Sequence, residues 1–286
     1  MPQDQSETNG KSMTLESLQA DLKAHLCTNP IFIIGSPRSG TTALARALAQ
    51  HSQLWTSEES AILVDLFGGG QLDRHYQRVG TPGGCWLQKH GVGKREFLGF
   101  LGLGLNGLFT NISEGKRWVD HTPRHTLLVD DLAFMFPGAL FLHILRDGRR
   151  VVHSMINYKL TVAPWSKDFR EACKTWNQYV SFALDAESRY PFRYLTVKNE
   201  HLILDTEKIF EKIFEFIGVE FEIEPVNFMI NNKVNSSFGH NNKNRLSQLS
   251  EPWLVWSEEQ HGVFREEAWN TLVECGCVAK VEQDLS

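Results

Sequence analysis

The sequence of 286 residues contains no apolar run long enough to cross a membrane. Its longest apolar stretch, residues 97–109, is shorter than the roughly 20 residues that a spanning helix needs, and several glycines interrupt it. The first 23 residues mix acidic and basic side chains and lack the apolar core of a secretory signal. We therefore expect a cytoplasmic protein without a membrane span.

Cysteines are few, and their spacing does not suggest pairs. An odd number is scattered along the chain: Cys27, Cys85, Cys173, Cys275 and Cys277. This pattern favours free thiols in a reducing compartment over a disulfide framework. Cys275 and Cys277 have the spacing of half a metal site, but no second pair of ligands lies near them in the sequence. We therefore expect no metal.

Positive charge is not in excess either. The formal net charge is −5, whereas a general nucleic-acid binder needs surplus Lys and Arg to displace counterions, so we expect no nucleic-acid partner.

No repeat and no low-complexity linker divides the chain. The sequence predicts a polar N-terminal extension over residues 1–28 and a single domain over residues 29–286.

Short apolar segments alternate with amphipathic segments along the chain. The mostly apolar residues 31–34 and 140–145 are typical of strands that are buried on both faces of a parallel sheet. Further strands are predicted at residues 118–119 and 192–197. Helices are predicted over residues 42–50 and 126–136, from Asp147, between Asp205 and Gly218, and from a capping box at Ser257 and Gln260. The alternation predicts an α/β fold, with a P-loop-type parallel sheet flanked by helices.

The first candidate site is a turn between the first strand and the first helix. It reads Gly35-Ser36-Pro37-Arg38-Ser39-Gly40-Thr41-Thr42. Its two glycines let the backbone wrap an anion, and the helix N-terminus supplies free N–H groups and the positive end of a dipole. Thr41 stands where a nucleoside-triphosphate enzyme carries its P-loop Lys, and Arg38 supplies a positive charge instead. The turn therefore predicts an anion site, since a purely structural turn would need neither the second glycine nor the arginine.

The second candidate site follows another predicted strand. Arg146 leaves the end of that strand, and Ser154 lies two turns along the next helix. Both side chains can face one phosphate, the arginine as a bidentate donor and the serine through its hydroxyl. Alone, this spacing is more typical of a surface ion pair and a solvated hydroxyl. Together with the loop, it predicts a nucleotide site.

The two segments together resemble the sulfotransferases that use 3′-phosphoadenosine-5′-phosphosulfate (PAPS), and they are especially similar to the tyrosylprotein sulfotransferases and their bacterial relatives. The resemblance runs from Ile31 to about Gly218. It implies the sulfotransferase fold, PAPS as co-substrate and no metal. The donor-binding residues that it implies are Ser36, Pro37, Arg38, Ser39, Gly40, Thr41, Thr42, Arg146 and Ser154.

Two further residues acquire roles from the resemblance. Relatives carry G-E-E-T-R-I after the first helix, and residues 57–62, S-E-E-S-A-I, put the catalytic base of that motif at Glu59. The other interpretation of such a glutamate is that it complements a helix dipole. When Pro123 is aligned with the proline of the family motifs, His121 matches the histidine base of the cytosolic enzymes. In other branches of the family the matching residue is a lysine. We expect Glu59 to be the base and a protonated His121 to stabilise the departing phosphate oxygen with Arg38, although His121 as base or as a core histidine remains an alternative.

These residues predict a sulfotransferase that moves a sulfonate group from PAPS to an acceptor hydroxyl. The rival interpretations are a kinase-like P-loop phosphotransferase and a catalytically silent nucleotide-binding module. The acceptor is expected to be a small or partly apolar hydroxylated molecule. A homodimer of the protein is compatible with the sequence. The glycine-rich residues 102–107 match G-x-G-x-x-G, but we interpret them as core or as the acceptor pocket rather than as a dinucleotide site. Residues 235–237 resemble a nucleotide-contacting segment.

Overall fold

The computed structural model of the chain describes residues 26–77, 84–159, 161–231, 249 and 251–278. Its strands are β1 (Ile31–Ile34), β2 (Leu54–Thr56), β3 (Arg117–Asp120), β4 (Leu140–Leu145) and β5 (Tyr194–Lys198). Its α-helices are α1 (Thr41–Leu48), α2 (Ile62–Phe67), α3 (Gln71–Tyr76), α4 (Trp86–Lys89), α5 (Lys94–Ile112), α6 (Val129–Met135), α7 (Gly148–Ile156), α8 (Phe169–Arg189), α9 (Asn199–Leu204), α10 (Thr206–Ile217), α11 (Ile223–Asn231) and α12 (Glu258–Glu274). Short 3₁₀ helices cover Gly68–Gly70, Pro123–Leu128, Pro164–Ser166 and Pro252–Val255.

The strands form one parallel sheet in the order β2-β3-β1-β4-β5. Strand β1 lies at its centre and pairs with β3 on one side and β4 on the other. The carboxyl ends of β1, β3, β4 and β5 therefore meet at one edge, and the segments that leave those ends meet there too. In open α/β sheets this edge is where ligands bind.

Helices cover both faces of the sheet, as the apolar strands predict. Ile31 and Ile33 of β1 pack on one face with α1 and α10, while Phe32 and Ile34 pack on the other with α5 and α6. Alternate residues of a strand point to opposite faces, which is why a wholly apolar strand needs two covering layers. A third cluster joins α7, α8 and α12 around the buried Trp176. The α/β fold with a parallel sheet flanked by helices is confirmed.

Most predicted elements occur with small shifts of their ends. The strands over residues 31–34 and 140–145 are found as predicted, and Ser257 and Gln260 form the expected capping box. The predicted helix over residues 126–136 is wrong in detail, because a 3₁₀ helix covers its start and α6 begins only at Val129. Asp205 precedes α10 but its side chain makes no capping hydrogen bond.

The glycine-rich stretch lies inside α5, so no strand leads into it. Gly102 faces α6, where a Cβ atom would come within 1.9 Å of the carbonyl oxygen of Met135. Leu98 and Leu101 pack into the core beneath the sheet. One face of this stretch is therefore core, whereas Leu103 and Gly104 are exposed, and no residue of α5 lines the cleft described below. Among the described residues, no helix is long and apolar enough to span a membrane.

Candidate functional site

The loop of residues 35–42 has a backbone that only particular residues adopt. Gly35 and Gly40 have φ angles of 149° and 115°, and a Cβ atom at either position would meet a neighbour at 2.6 Å or 2.7 Å, Ile144 O and Asn199 Nδ2 respectively. Arg38 also has a positive φ, of 71°, which is uncommon for a residue with a side chain. The loop is thus tightly folded against the ends of β4 and β5, as an anion cradle requires.

The loop ends on the N-terminus of α1. Gly40 is the N-cap residue and has no side chain, so the first amide groups of the helix donate no hydrogen bond to a capping side chain. Thr41 and Thr42 follow and line the cleft. Free amide groups and the positive end of the helix dipole favour a bound phosphate or sulfate at this position.

Arg38, Arg146 and Ser154 meet as the two sequence segments predict. Arg38 Nε donates a hydrogen bond to Ser154 Oγ at 3.3 Å, and Arg146 donates from its guanidinium to the carbonyl oxygen of Arg38 at 3.1 Å. The guanidinium of Arg38 also lies 4.3 Å from the ring centroid of Tyr158, within the range of a cation–π contact. Residues more than 100 positions apart in sequence thereby place two positive charges at one end of the cleft.

The remaining loop residues contribute in different ways. Pro37, Arg38, Gly40, Thr41 and Thr42 line the cleft. Ser36 and Ser39 are each about 1% exposed, and the Ser36 hydroxyl donates to the carbonyl oxygen of Pro37. Both serine side chains are therefore buried, and Ser39 Oγ has no hydrogen-bond partner among the described residues.

A hydrogen-bond network holds the segment that contains Glu59. Ser60 Oγ donates to Asp120 Oδ2 at 2.5 Å, and the Thr122 amide donates to Asp120 Oδ1 at 2.9 Å. The amide of Ala61 faces Thr122 Oγ1 at 3.4 Å, and Ala61 itself has a φ of 51°. Asp120 is 8% exposed, and these donors together with His125 hold its pKa well below the ordinary value despite burial. A charged carboxylate at the end of β3 thus anchors the chain directly after Glu59.

Glu59 lies at the mouth of the cleft, where its side chain reaches solvent. Nearby atoms still remove part of the water around its carboxylate, and this desolvation raises its pKa; the negative charge of Asp120 raises the pKa further. Arg38 and Arg124 oppose the shift. A carboxylate with a raised pKa is a better proton acceptor than an ordinary glutamate, which suits a general base.

His121 is buried, at 3% exposure, and lies on the same cleft. Burial lowers its pKa, and the positive charge of Arg46 lowers it further, while Asp120 opposes the shift. In the absence of a ligand, burial therefore disfavours a protonated imidazole at His121. The sequence argument expected that protonated form in the presence of the donor. Thr56 Oγ1 donates to the carbonyl oxygen of Val119 at 2.8 Å and lies 3.5 Å from His121 Nδ1, so it holds the ring from the side of β2.

One cleft of about 1190 Å³ brings these groups together at the carboxyl edge of the sheet. Sequence reasoning missed several residues that line it: Arg46, Tyr158, Trp165, Tyr179, Asn199 and Phe228. Tyr158 and Trp165 are stacked, with ring centroids 6.0 Å apart and planes at 19°. Burial raises the pKa of Tyr179 to about 12, so its hydroxyl keeps its proton. These side chains come from separate helices and loops, and no local motif marks them.

Asn199 lies on the cleft beside the loop. It begins α9 at the end of β5, lies against Gly40, and has a buried Oδ1 without a hydrogen-bond partner among the described residues. Glu200 next to it accepts from Arg150 at 3.1 Å and from the amide of Asp147 at 3.2 Å. Residues 235–237 lie outside the described residues. Within the described residues, no group of three or more His, Cys, Asp or Glu side chains is arranged to hold a metal ion.

Comparison with known proteins gives independent evidence on the family of this chain. A model of the sulfotransferase family matches residues 30–223. The chain is 27% identical over 191 residues to protein-tyrosine sulfotransferase 1 of Danio rerio, which covers 66% of this chain and 53% of that protein. It is 30% identical over 133 residues to the nodulation protein NoeE of Sinorhizobium fredii, covering 43% and 30%. The chain spans about half the length of the curated relatives that it matches first.

Solved structures show the same fold at lower identity. The sulfotransferase domain of the Synechococcus PCC 7002 olefin synthase aligns with a TM-score of 0.53 and 19% identity, covering 88% of this chain and 96% of that one. The sulfotransferase domain from the curacin biosynthetic pathway aligns with a TM-score of 0.54 and 17% identity, covering 85% and 98%. The family model spans more than half of the chain and encloses the loop, the Glu59 segment, Arg146 and Ser154, so the chain belongs to the sulfotransferase family.

Proposed function

We propose that this protein transfers a sulfonate group from PAPS to a hydroxyl of an acceptor and releases 3′-phosphoadenosine-5′-phosphate. The observation that carries the proposal is the convergence of two sets of groups on one cleft: the anion loop with Arg38 and Arg146, and the Glu59 segment with His121. Anion binding alone needs only the first set. The second set adds a proton acceptor with a raised pKa, which a simple binding module has no use for.

Different residues of the cleft are assigned to the two anionic groups of the donor, the 5′-phosphosulfate and the 3′-phosphate. The loop has no room for a Cβ atom at Gly35 or Gly40, so backbone amides can approach the 5′-phosphosulfate closely. Arg146 and Ser154 are assigned to the 3′-phosphate, with Ser154 held beside Arg38 at 3.3 Å. Arg38 then lies between the two anionic groups and serves both.

The proposed chemistry is one in-line displacement. Glu59 takes the proton of the acceptor hydroxyl while the acceptor oxygen bonds to sulfur, and the bond from sulfur to the 5′-phosphate oxygen breaks. Arg38 and the loop amides stabilise the negative charge that develops on the departing phosphate. His121, neutral in the free cleft, gains positive character when the anionic donor binds beside it, because nearby negative charge raises the pKa of an imidazole.

A calorimetric titration compares the proposal with its two rivals. PAPS should bind, while ATP and NADH should bind far more weakly, since Thr41 replaces the Lys of a triphosphate loop. Sulfonate transfer should then be followed with and without EDTA. The phosphosulfate at the reacting end of the donor carries less charge than a bare triphosphate, so a metal has less charge to neutralise there and undiminished turnover is expected. Tight binding of ATP together with activity that chelation abolishes and magnesium restores would favour the phosphotransferase.

The acceptor that fits the cleft is a hydroxylated molecule with an apolar part. The supporting observation is the set of aromatic side chains on its wall, with Tyr158 and Trp165 stacked and the buried Tyr179 on the same lining. We further propose a cytoplasmic location, which agrees with five cysteines that all carry free thiols. Activity screening across phenols, aliphatic alcohols and sugars would identify the acceptor, and equal activity on strongly polar sugars would contradict the apolar preference.

A further inference from the structure

A pair of thiols lies in the turn that follows α12. Cys275 and Cys277 flank Gly276, and their sulfur atoms are 3.3 Å apart. Cys275 Sγ also lies 3.4 Å from the carbonyl oxygen of Leu272, one turn back in the helix. Cys275 is 8% exposed and Cys277 is half-buried, so the pair sits just beneath the surface.

The turn geometry brings both sulfur atoms to the same side. Gly276 has a φ of 67°, a left-handed conformation that a residue with a side chain rarely adopts. The amide of Cys277 donates to the carbonyl oxygen of Leu272 at 3.1 Å, which closes the end of α12. Lys198 Nζ donates to the carbonyl oxygen of Gly276 at 2.7 Å and ties the turn to the carboxyl end of β5. The close sulfur contact is therefore built into the backbone rather than left to mobile side chains.

The contacts also assign different roles to the two thiols. A thiol has one proton, so the Cys275 S–H group cannot donate to Leu272 O and to Cys277 at once. When Cys277 donates to Cys275, the pKa of Cys275 falls because this hydrogen bond and the charge of Lys198 stabilise its thiolate, even though burial opposes the shift. The same contact raises the pKa of Cys277. The charge of Lys198, which holds the turn between the two cysteines, therefore favours Cys275 as the attacking thiol and leaves Cys277 as the proton-bearing partner.

The other three cysteines, all in the described part of the chain, lack this environment. Cys85 and Cys173 are buried, and burial raises the pKa of Cys173 to about 12. Burial also raises the pKa of the half-buried Cys27. Buried thiols with raised pKa values react slowly with oxidants and disulfides.

We propose that Cys275 and Cys277 form a thiol–disulfide exchange site that reacts with small-molecule disulfides such as oxidised glutathione. The Cys275 thiolate attacks one sulfur of the small disulfide and releases the first small thiolate. Cys277 then loses its proton and attacks Cys275 Sγ, which releases the second small thiolate and closes a bond between Cys275 and Cys277. The protein loses two protons and two electrons, and the small disulfide takes up both to become two small thiols.

Mass spectrometry of the intact and the digested protein tests the site. Full-length protein is equilibrated with oxidised and reduced glutathione in varied ratios, alkylated, and compared with protein treated with dithiothreitol. We expect the peptide that contains residues 275–277 to lose two hydrogens as the oxidised fraction rises, without retaining glutathione. Reduction should restore both thiols. A peptide that keeps two free thiols, or a disulfide that joins Cys275 or Cys277 to another cysteine, would overturn the proposal.

Single variants separate the two roles without relying on enzyme activity. Cys277→Ser should trap glutathione on Cys275, because the second attack is lost. Cys275→Ser should acquire glutathione on Cys277 at least about tenfold more slowly, since burial still raises the pKa of that thiol once the contact with Cys275 is gone. Cys85→Ser, which removes a buried thiol elsewhere, should behave as the unsubstituted protein. Equal labelling of Cys275→Ser and Cys277→Ser would contradict the assignment, and thermal melting of each variant verifies that it is folded.

Discussion

The two sides of the cleft are held in place by different means. The loop side, residues 35–42 with Arg146 and Ser154, is fixed by backbone geometry, since Cβ atoms at Gly35 and Gly40 would collide with β4 and α9. The Glu59 side, residues 57–61 with Asp120 and His121, depends on side-chain hydrogen bonds to a buried carboxylate. A backbone-built site tolerates changes of side chain, whereas a site held by single hydrogen bonds can lose its geometry through one substitution. Variants on the two sides should therefore separate binding from turnover.

The largest effect is expected on the Glu59 side. Glu59→Gln keeps the shape of the side chain but cannot accept a proton, so turnover on an aliphatic alcohol should fall by about 10²–10⁴-fold with donor affinity nearly unchanged. In the unsubstituted protein the rate should rise with pH through the raised pKa of Glu59, because only the ionised form is a base. This acidic limb should vanish in Glu59→Gln and persist in His121→Ala. Near-normal turnover of Glu59→Gln with an inactive His121→Ala would make His121 the base.

The next largest effect is expected on the loop side. Arg146→Ala removes a buried cation assigned to the 3′-phosphate and should weaken PAPS binding by roughly 2–5 kcal/mol. Adenosine 5′-phosphosulfate lacks that phosphate and serves as the matched ligand: it should bind weakly to the unsubstituted protein and lose little more in the variant. Calorimetry gives both affinities. An equal loss for the two nucleotides would show that Arg146 does not recognise the 3′-phosphate.

A smaller effect is expected where a hydrogen bond positions the base. Ser60→Ala removes the 2.5 Å bond to Asp120 that anchors the residue after Glu59. Because a displacement of about 1 Å at a catalytic group can cost up to 10²-fold, turnover should fall by roughly 10- to 100-fold while donor affinity stays constant. Ser60→Thr keeps the hydroxyl and is the matched control. If both variants lose turnover equally, the bond does not position Glu59.

The smallest effect concerns coupling between the two sides. Burial lowers the pKa of His121 in the free cleft, and a bound anionic donor should raise it, so donor binding takes up a proton. Affinity should consequently fall as pH rises through the pKa of the bound form, by at most about tenfold per pH unit. Calorimetry in buffers of different ionisation enthalpy measures the uptake. His121→Gln should abolish it, and uptake that persists in this variant would assign the proton to another group.

The sequence predicted the loop side better than the Glu59 side. The loop is contiguous, and its strand, turn and helix all carry local signals, so Gly35, Arg38 and Gly40 could be placed from the order of residues alone. Arg146 and Ser154 were assigned from a second contiguous segment, and their junction with Arg38 is found. The assignment of Glu59 as the base rested on the family resemblance alone. The anchoring of its segment by Asp120 joins side chains 60 positions apart, a contact that no local pattern encodes.

His121 could be placed on the cleft from the sequence, but its protonation could not, and the positive charge expected with a bound donor stays a prediction. Its position on the cleft follows from β3 and the proline after it, but its protonation depends on burial and on Arg46, which the fold brings from α1. Tyr158, Trp165 and Asn199 were missed for the same reason, because each arrives at the cleft from a different element.

The sequence by itself determined the parallel sheet, the glycine-bearing loop and the segment that carries Arg146. It could do so because apolar runs, glycines and helix signals act over a few neighbouring residues. Only the tertiary structure decided which charges are buried and which side chains share the cleft. It also decided that the thiols at residues 275 and 277, half of a metal pattern in the sequence, lie in contact beside Lys198. Burial and electrostatic shifts depend on every element that packs around a group, and the order of residues along the chain does not contain that information directly.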